Sequence, residues 1–227
     1  MEKLRFLFAF LLLLATQQLN AQETTAIDSS YLNGHYTQRL DFFRKMPNRK
    51  GEIVFVGNSL TEGGKWQEIF QNPHVINRGI SGDVTYGILA RLDEVLAAKP
   101  AKIFILAGIN DMKRGTPNEV ILANLKRMIL MVKTQSPKTK LYMQSLLPVN
   151  EAMLPDIYAK VKNAKINALN QQLEALCKTM NVSYLNIHPA LADESGSLKK
   201  ELSIDGLHLR QASYVLWAEE LKRKKVM

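Results

Sequence analysis

Ile53-Val54-Phe55-Val56, followed at once by Gly57-Asn58-Ser59-Leu60-Thr61-Glu62, is the stretch that decides the fold. An unbroken apolar run of mostly β-branched residues marks a strand buried on both faces, and such strands belong to parallel sheets covered by helices. Similar runs recur at Val75-Ile76, Ile103-Phe104-Ile105-Leu106, Leu141-Tyr142-Met143 and Val182 to Ile187, so five strands are predicted.

Helical periods fill the intervals. Tyr31 to Met46 reads as a helix stopped by Pro47, and residues 22–50 form an N-terminal helical segment ahead of a main domain at 51–227. Ile88, Leu89, Leu92, Val95 and Leu96 share a face of a second helix that Lys99-Pro100 ends. Thr116-Pro117-Asn118-Glu119 has the form of a capping box with proline at the first helical position, opening a helix through Val132. Asp156 is placed to cap a long helix from Ile157 to Met180, Asp83 to cap the one near Val84, and a last helix runs from Gln211 into Leu221. Alternating strands and helices joined by right-handed crossovers give one α/β domain, a three-layer α/β/α sandwich around a five-stranded parallel sheet.

Composition narrows the class. With 227 residues, 46% hydrophobic and 22% charged, the chain can bury a single core, which excludes collagen-like and wholly disordered readings. The net charge of +9 is compatible with anionic partners, although nothing points to nucleic acid. Cys177 is the only cysteine, so no internal disulfide and no cysteine-based zinc site can form. Lys3 and Arg5 before the apolar run Phe6 to Ala15, and small Ala21 after a polar stretch, have the order of a secretory signal peptide over residues 1–21. Export to a periplasmic or extracellular space follows as an expectation, with no stable membrane insertion once the signal is removed.

In an open parallel sheet, chemistry collects beyond the carboxyl ends of the strands. Ser59 follows the first run, Asn77-Arg78-Gly79-Ile80-Ser81-Gly82-Asp83 the second and Gly108-Ile109-Asn110-Asp111 the third, while Asp205-Gly206-Leu207-His208 stands near the C-terminus. These are the parts of an acyl-transfer site. A serine hydroxyl needs a base, and an imidazole, which titrates near pH 6.5 when unperturbed, can serve. Asp205, three residues before His208, can reach the other ring nitrogen and hold its tautomer. The backbone N–H groups of Ser59 and Gly79 and the amide of Asn110 are the expected donors to an oxyanion. Each residue alone has a plainer explanation as a cap or turn; order and placement on one rim separate the two readings.

Ser59, Gly79, Asn110 and His208, in that order and with Asp205 three before the histidine, resemble the four blocks of the SGNH hydrolases, the GDSL-like lipase/acylhydrolase family. The stretch from Asn77 to Thr85 looks most like the branch holding platelet-activating-factor acetylhydrolase subunits and bacterial carbohydrate esterases. The resemblance implies a flavodoxin-like sheet, no cofactor or metal, and hydrolysis of carboxylic esters. The block named GDSL reads Gly57-Asn58-Ser59-Leu60 here, an amide replacing the acid beside the serine. Short acyl groups on a glycan or other small ester are the expected substrate. A lysophospholipase-like lipid acylhydrolase is the alternative enzyme, and a non-catalytic carbohydrate-binding domain the alternative of another class.

Overall fold

Strand β1 (Ile53–Gly57) lies inside a parallel sheet of order β2-β1-β3-β4-β5, completed by β2 (Val75–Gly79), β3 (Lys102–Leu106), β4 (Lys140–Gln144) and β5 (Ser183–Leu185). The structure, a computed structural model, describes residues 28–227. The signal segment predicted at 1–21 therefore lies outside the described residues. Among those described, no helix is long and apolar enough to cross a membrane.

The pleat sends alternate residues of each strand to opposite faces. On one face Phe55, Phe104 and Tyr142 occupy matching register positions and stack, with centroids 4.8 and 4.7 Å apart, and Trp66 lies 4.4 Å above Phe55. Trp66 comes from the short helix α3 (Trp66–Phe70), and Trp217, from the C-terminal helix α9 (Gln211–Arg223), meets it edge-on at 4.9 Å. Such ring pairs contribute about 0.5–1.5 kcal/mol each beyond the area they bury. Val54, Val56, Ile103, Ile105 and Met143 point the other way and are buried beneath α4 (Thr85–Ala97), α6 (Asn118–Gln135) and α7 (Asn163–Thr179). Helix α4 packs on α6 and α6 on α7, so the three-layer α/β/α architecture stands.

Helix α1 (Gly34–Lys45) starts where Asn33 accepts the Tyr36 N–H. It joins the body through Tyr36, Leu40 and Phe43 around Ile80, with the Arg39 and Arg78 guanidinium groups each 4.7 Å from the Phe43 ring.

Three helix starts differ from expectation. Helix α6 begins at Asn118 with Pro117 as its cap residue, because the Thr116 N–H is drawn to Asp111 O at the end of α5 (Ile109–Arg114). Asp83 turns its carboxylate inward to Arg91, and α4 is capped instead by Asp111, which accepts from the Thr85 N–H and hydroxyl. Asp156 opens only a 3₁₀ turn (Asp156–Tyr158); Lys162 is extended, and α7 starts at Asn163, whose N–H donates to Glu151 Oε1 at 2.8 Å.

Candidate active site

The sheet reverses its winding between β1 and β3, and the crevice beyond that switch point is where ligands settle in folds of this type. Ser59 opens the short helix α2 (Ser59–Glu62) directly after β1. Asn58 is fully buried, and its Oδ1 caps α2 by accepting the Leu60 N–H at 3.0 Å. The amide thus keeps the oxygen that the cap needs.

His208 reaches the same point from the other end of the chain. Asp205 Oδ2 accepts the His208 Nδ1–H at 2.7 Å; since an ionised carboxylate only accepts, the neutral ring leaves Nε2 free to take the Ser59 hydroxyl, 3.1 Å away. Asp205 Oδ1 accepts the N–H groups of Leu207 and His208 at 3.0 and 2.8 Å. Burial raises the Asp205 pKa, but these hydrogen bonds outweigh it and hold the carboxyl below the usual carboxylate range. The loop itself is pinned by Ser203, whose hydroxyl donates to His208 O and accepts from the Gly206 N–H. Ser59, His208 and Asp205 are thus brought together as the sequence suggested.

Asn110 lies on α5 with its Nδ2 donating to Asp83 O at 2.9 Å, which orients the amide toward the cavity that it lines. Gly79 does not join it. Its N–H is taken by the Asn77 side-chain oxygen at 2.8 Å, and the residue is the last of β2, away from the cavity lining. Glycine is needed there for space: a Cβ would sit 2.2 Å from Glu62 N and 2.6 Å from its Cα. Gly82 takes the expected place instead. It lines the cavity at φ 80°, in a turn closed by the Asp83 N–H on Ile80 O. A turn with positive φ at its third residue favours glycine. No acceptor among the described residues takes the N–H of Ser59 or Gly82.

Sequence reasoning also missed the groups that hold this turn. Arg91 is fully buried and donates to Asp83 Oδ2, Arg78 O and Gly57 O at 2.8, 2.9 and 3.0 Å, tying the ends of β1 and β2 to the turn. Burial pushes the Asp83 carboxyl up to about 6, with Arg91 opposing. Glu62 Oε2 accepts the Ser81 N–H and hydroxyl, both at 2.6 Å, and Asn77 Nδ2 donates to Thr61 O, Glu62 O and Gly64 O. A buried arginine in a helical period was the available signal.

Of the other histidines, His35 contacts Glu62 at 3.1 Å, and His74 precedes β2. His188 opens the short α8 (His188–Leu191), donating its backbone N–H to Ser145 Oγ, while its buried Nε2 has no partner among the described residues. Burial lowers its pKa. With the folded pKa below the unfolded value near 6.5, the unfolded chain takes the proton first, so stability is lost as pH falls below that value. The melting temperature is expected to drop from pH 7 to 5 with a His188 contribution of at most about 1.4 kcal/mol per pH unit. His188→Gln should flatten that slope, and identical slopes would refute the assignment.

The cavity, about 490 Å³, is lined by Ser59, Gly82, Asn110, Lys113, Tyr158 and His208 among others. A larger groove of about 570 Å³ between α1 and the β2 edge has no serine and no histidine among the described residues that line it. A hydroxyl, an imidazole and a carboxylate in hydrogen-bonded series beside amide donors define the class, an enzyme that hydrolyses ester bonds. Residues 55–216 match the GDSL-like Lipase/Acylhydrolase family, and the chain belongs to it. It is 29% identical over 201 residues to the platelet-activating factor acetylhydrolase IB subunit alpha2 of Rattus norvegicus, covering 86% of this chain and 83% of that one. A Streptococcus pneumonia structure assigned as a platelet activating factor aligns with TM-score 0.79 at 32% identity, covering 93% and 98% of the two chains. The acetylxylan esterase Axe2 of Geobacillus stearothermophilus shares the fold at TM-score 0.62 and 19% identity, over 79% and 96%.

Proposed function

We propose that this chain is an exported serine esterase that removes acetyl or other short acyl groups from carbohydrate, with Ser59 as nucleophile, His208 as general base and acid, and Asp205 as the group orienting His208. The Ser59–His208–Asp205 series carries this reading. His208 takes the Ser59 proton as Oγ attacks the ester carbon, and the negative oxygen of the tetrahedral intermediate is met by the Asn110 amide and the N–H groups of Ser59 and Gly82. Collapse expels the alcohol, which receives the proton from His208, and water then releases the acid by the same relay. Export is supported by the order of Lys3, Arg5, the Phe6–Ala15 run and Ala21.

The short-acyl reading is supported by a small cavity in which Ser81, Gly82 and Asn110 stand beside Ser59, and by two relatives whose names carry an acetyl ester. Ile204, 60% exposed and part of the cavity lining with His208 and Tyr158, favours the second reading, a lipid acylhydrolase, by giving the mouth an apolar side chain. Chain length separates the two. With p-nitrophenyl esters, kcat/KM is expected to fall by about tenfold or more from acetate to octanoate, as a pocket that rejects extra methylenes would require. A rise toward octanoate would replace the glycan reading by the lipid one.

A further inference from the structure

Among the described residues, Glu62 in the lining of the catalytic cavity and Asp205 behind His208 are spoken for. Glu62 is wrapped by Ser81, His35 and the Arg39 guanidinium, the last at 3.1 Å, and Asp205 by three N–H donors. Lys113 is different. It lines the cavity, yet makes no hydrogen bond or ion pair with any described residue; its Nζ rests 4.3 Å from the centroid of the Tyr158 ring. That ring stands edge-on to the His208 imidazole at 6.3 Å, so the ammonium sits one aromatic ring away from the base. Asn110 and Lys113 are three residues apart on α5 and share a face, which puts their Cβ atoms about 5–6 Å apart. One helix thus offers an amide to the reacting oxygen and, one turn outward, an uncommitted positive charge.

Resting on the esterase reading, we infer that Lys113 is a subsite for an anionic group, carboxylate or phosphate, carried by the substrate within one ring of the scissile ester. An ammonium held over an aromatic face is partly desolvated, so a substrate anion can displace little water to reach it. In a polysaccharide the matching group is a uronate carboxylate on the acetylated residue; in a lipid it is a headgroup phosphate.

The test uses the full chain and three aryl acetates alike except at the meta position, which carries methyl, carboxylate or phosphate. In the wild type, kcat/KM is expected to favour at least one anionic ester over the methyl ester by about tenfold, the worth of one charge-assisted hydrogen bond, and the preference should shrink with added salt. Lys113→Met should erase that ratio and Lys113→Arg should keep it. The preferred anion distinguishes a glycan carboxylate from a phosphate. Equal rates on all three esters in the wild type, or a preference that survives Lys113→Met, would overturn the subsite and leave the esterase intact. Failure to hydrolyse any of the three would instead overturn the esterase reading on which it rests.

Discussion

Ser59→Ala and His208→Ala will each lower kcat on p-nitrophenyl acetate by about 10⁴- to 10⁶-fold, and the double variant will lose no more than the worse single one. The reason is geometric. Among the described residues the Ser59 hydroxyl has one base within reach, His208 Nε2 at 3.1 Å, and without it the serine is a neutral alcohol facing an ester. Asp205→Asn will cost about 10⁴-fold, because an amide can donate to Nδ1 and turn the ring to the tautomer that blocks Nε2. Asp205 is only 30% exposed and also accepts two backbone N–H groups, so the variant must be shown to melt like the wild type. A fluorophosphonate should add one adduct to the wild type, on Ser59, and none to Ser59→Ala. Labelling of Ser59→Ala, or retention of a tenth of the activity, would remove Ser59 from its role and place the nucleophile elsewhere, whereas labelling of neither protein would return the chain to the non-catalytic binding reading.

The fold was legible because its strands are buried on both faces. At β1 and β3 the apolar runs leave no other reading, and the pleat delivers Phe55 and Phe104 to one layer and Val54, Val56, Ile103 and Ile105 to the other. Helix starts were less legible where the satisfying group is remote. The Thr85 N–H finds Asp111, 26 residues on, and the Asn163 N–H finds Glu151, 12 residues back, neither of which a local capping pattern contains. The apolar spacing of Ile157, Val161 and Leu169 runs through a segment that is not one helix, because Tyr158 is packed beside the His208 ring and Val161 into the main core.

At the site, the serine, histidine and aspartate were legible because each follows a strand or shares a short turn. The glycine was not. Gly79 and Gly82 are three apart, and choosing between them depends on where β2 ends. Ending the strand at Ile76 leaves Gly79 in the loop, whereas pairing continues to Gly57↔Gly79 and Asn77 then closes over the Gly79 N–H. Ile80-Ser81-Gly82-Asp83 carried the signal in its glycine at the third position of a turn. Arg91 and Lys113 were hidden for opposite reasons: the first is a charge inside the core, the second a charge that nothing described pairs.

Asn110→Ala will lower kcat by about 10²- to 10³-fold while KM changes little, since the charge that the amide meets exists only in the transition state. A purely structural role predicts another pattern. The Asn110 Nδ2 bond to Asp83 O also steadies the Gly82 turn, so its loss could act through the fold rather than through the oxyanion. Two readouts separate these. A boronic acid that forms a tetrahedral adduct on Ser59 should lose affinity by a factor close to the kcat loss, because it carries the same negative oxygen, whereas binding of a planar acetamide should not weaken. Gly82→Ala keeps its N–H and meets nothing within 4 Å, but must hold φ 80° at a residue with a Cβ. It should therefore lose mainly stability, about 1–2 kcal/mol, with a smaller fall in kcat than Asn110→Ala. If Asn110→Ala stays within threefold of the wild type in kcat, the amide is no oxyanion donor and backbone N–H groups alone must serve. If boronate and acetamide weaken together, Asn110 shapes the cavity without meeting the developing charge.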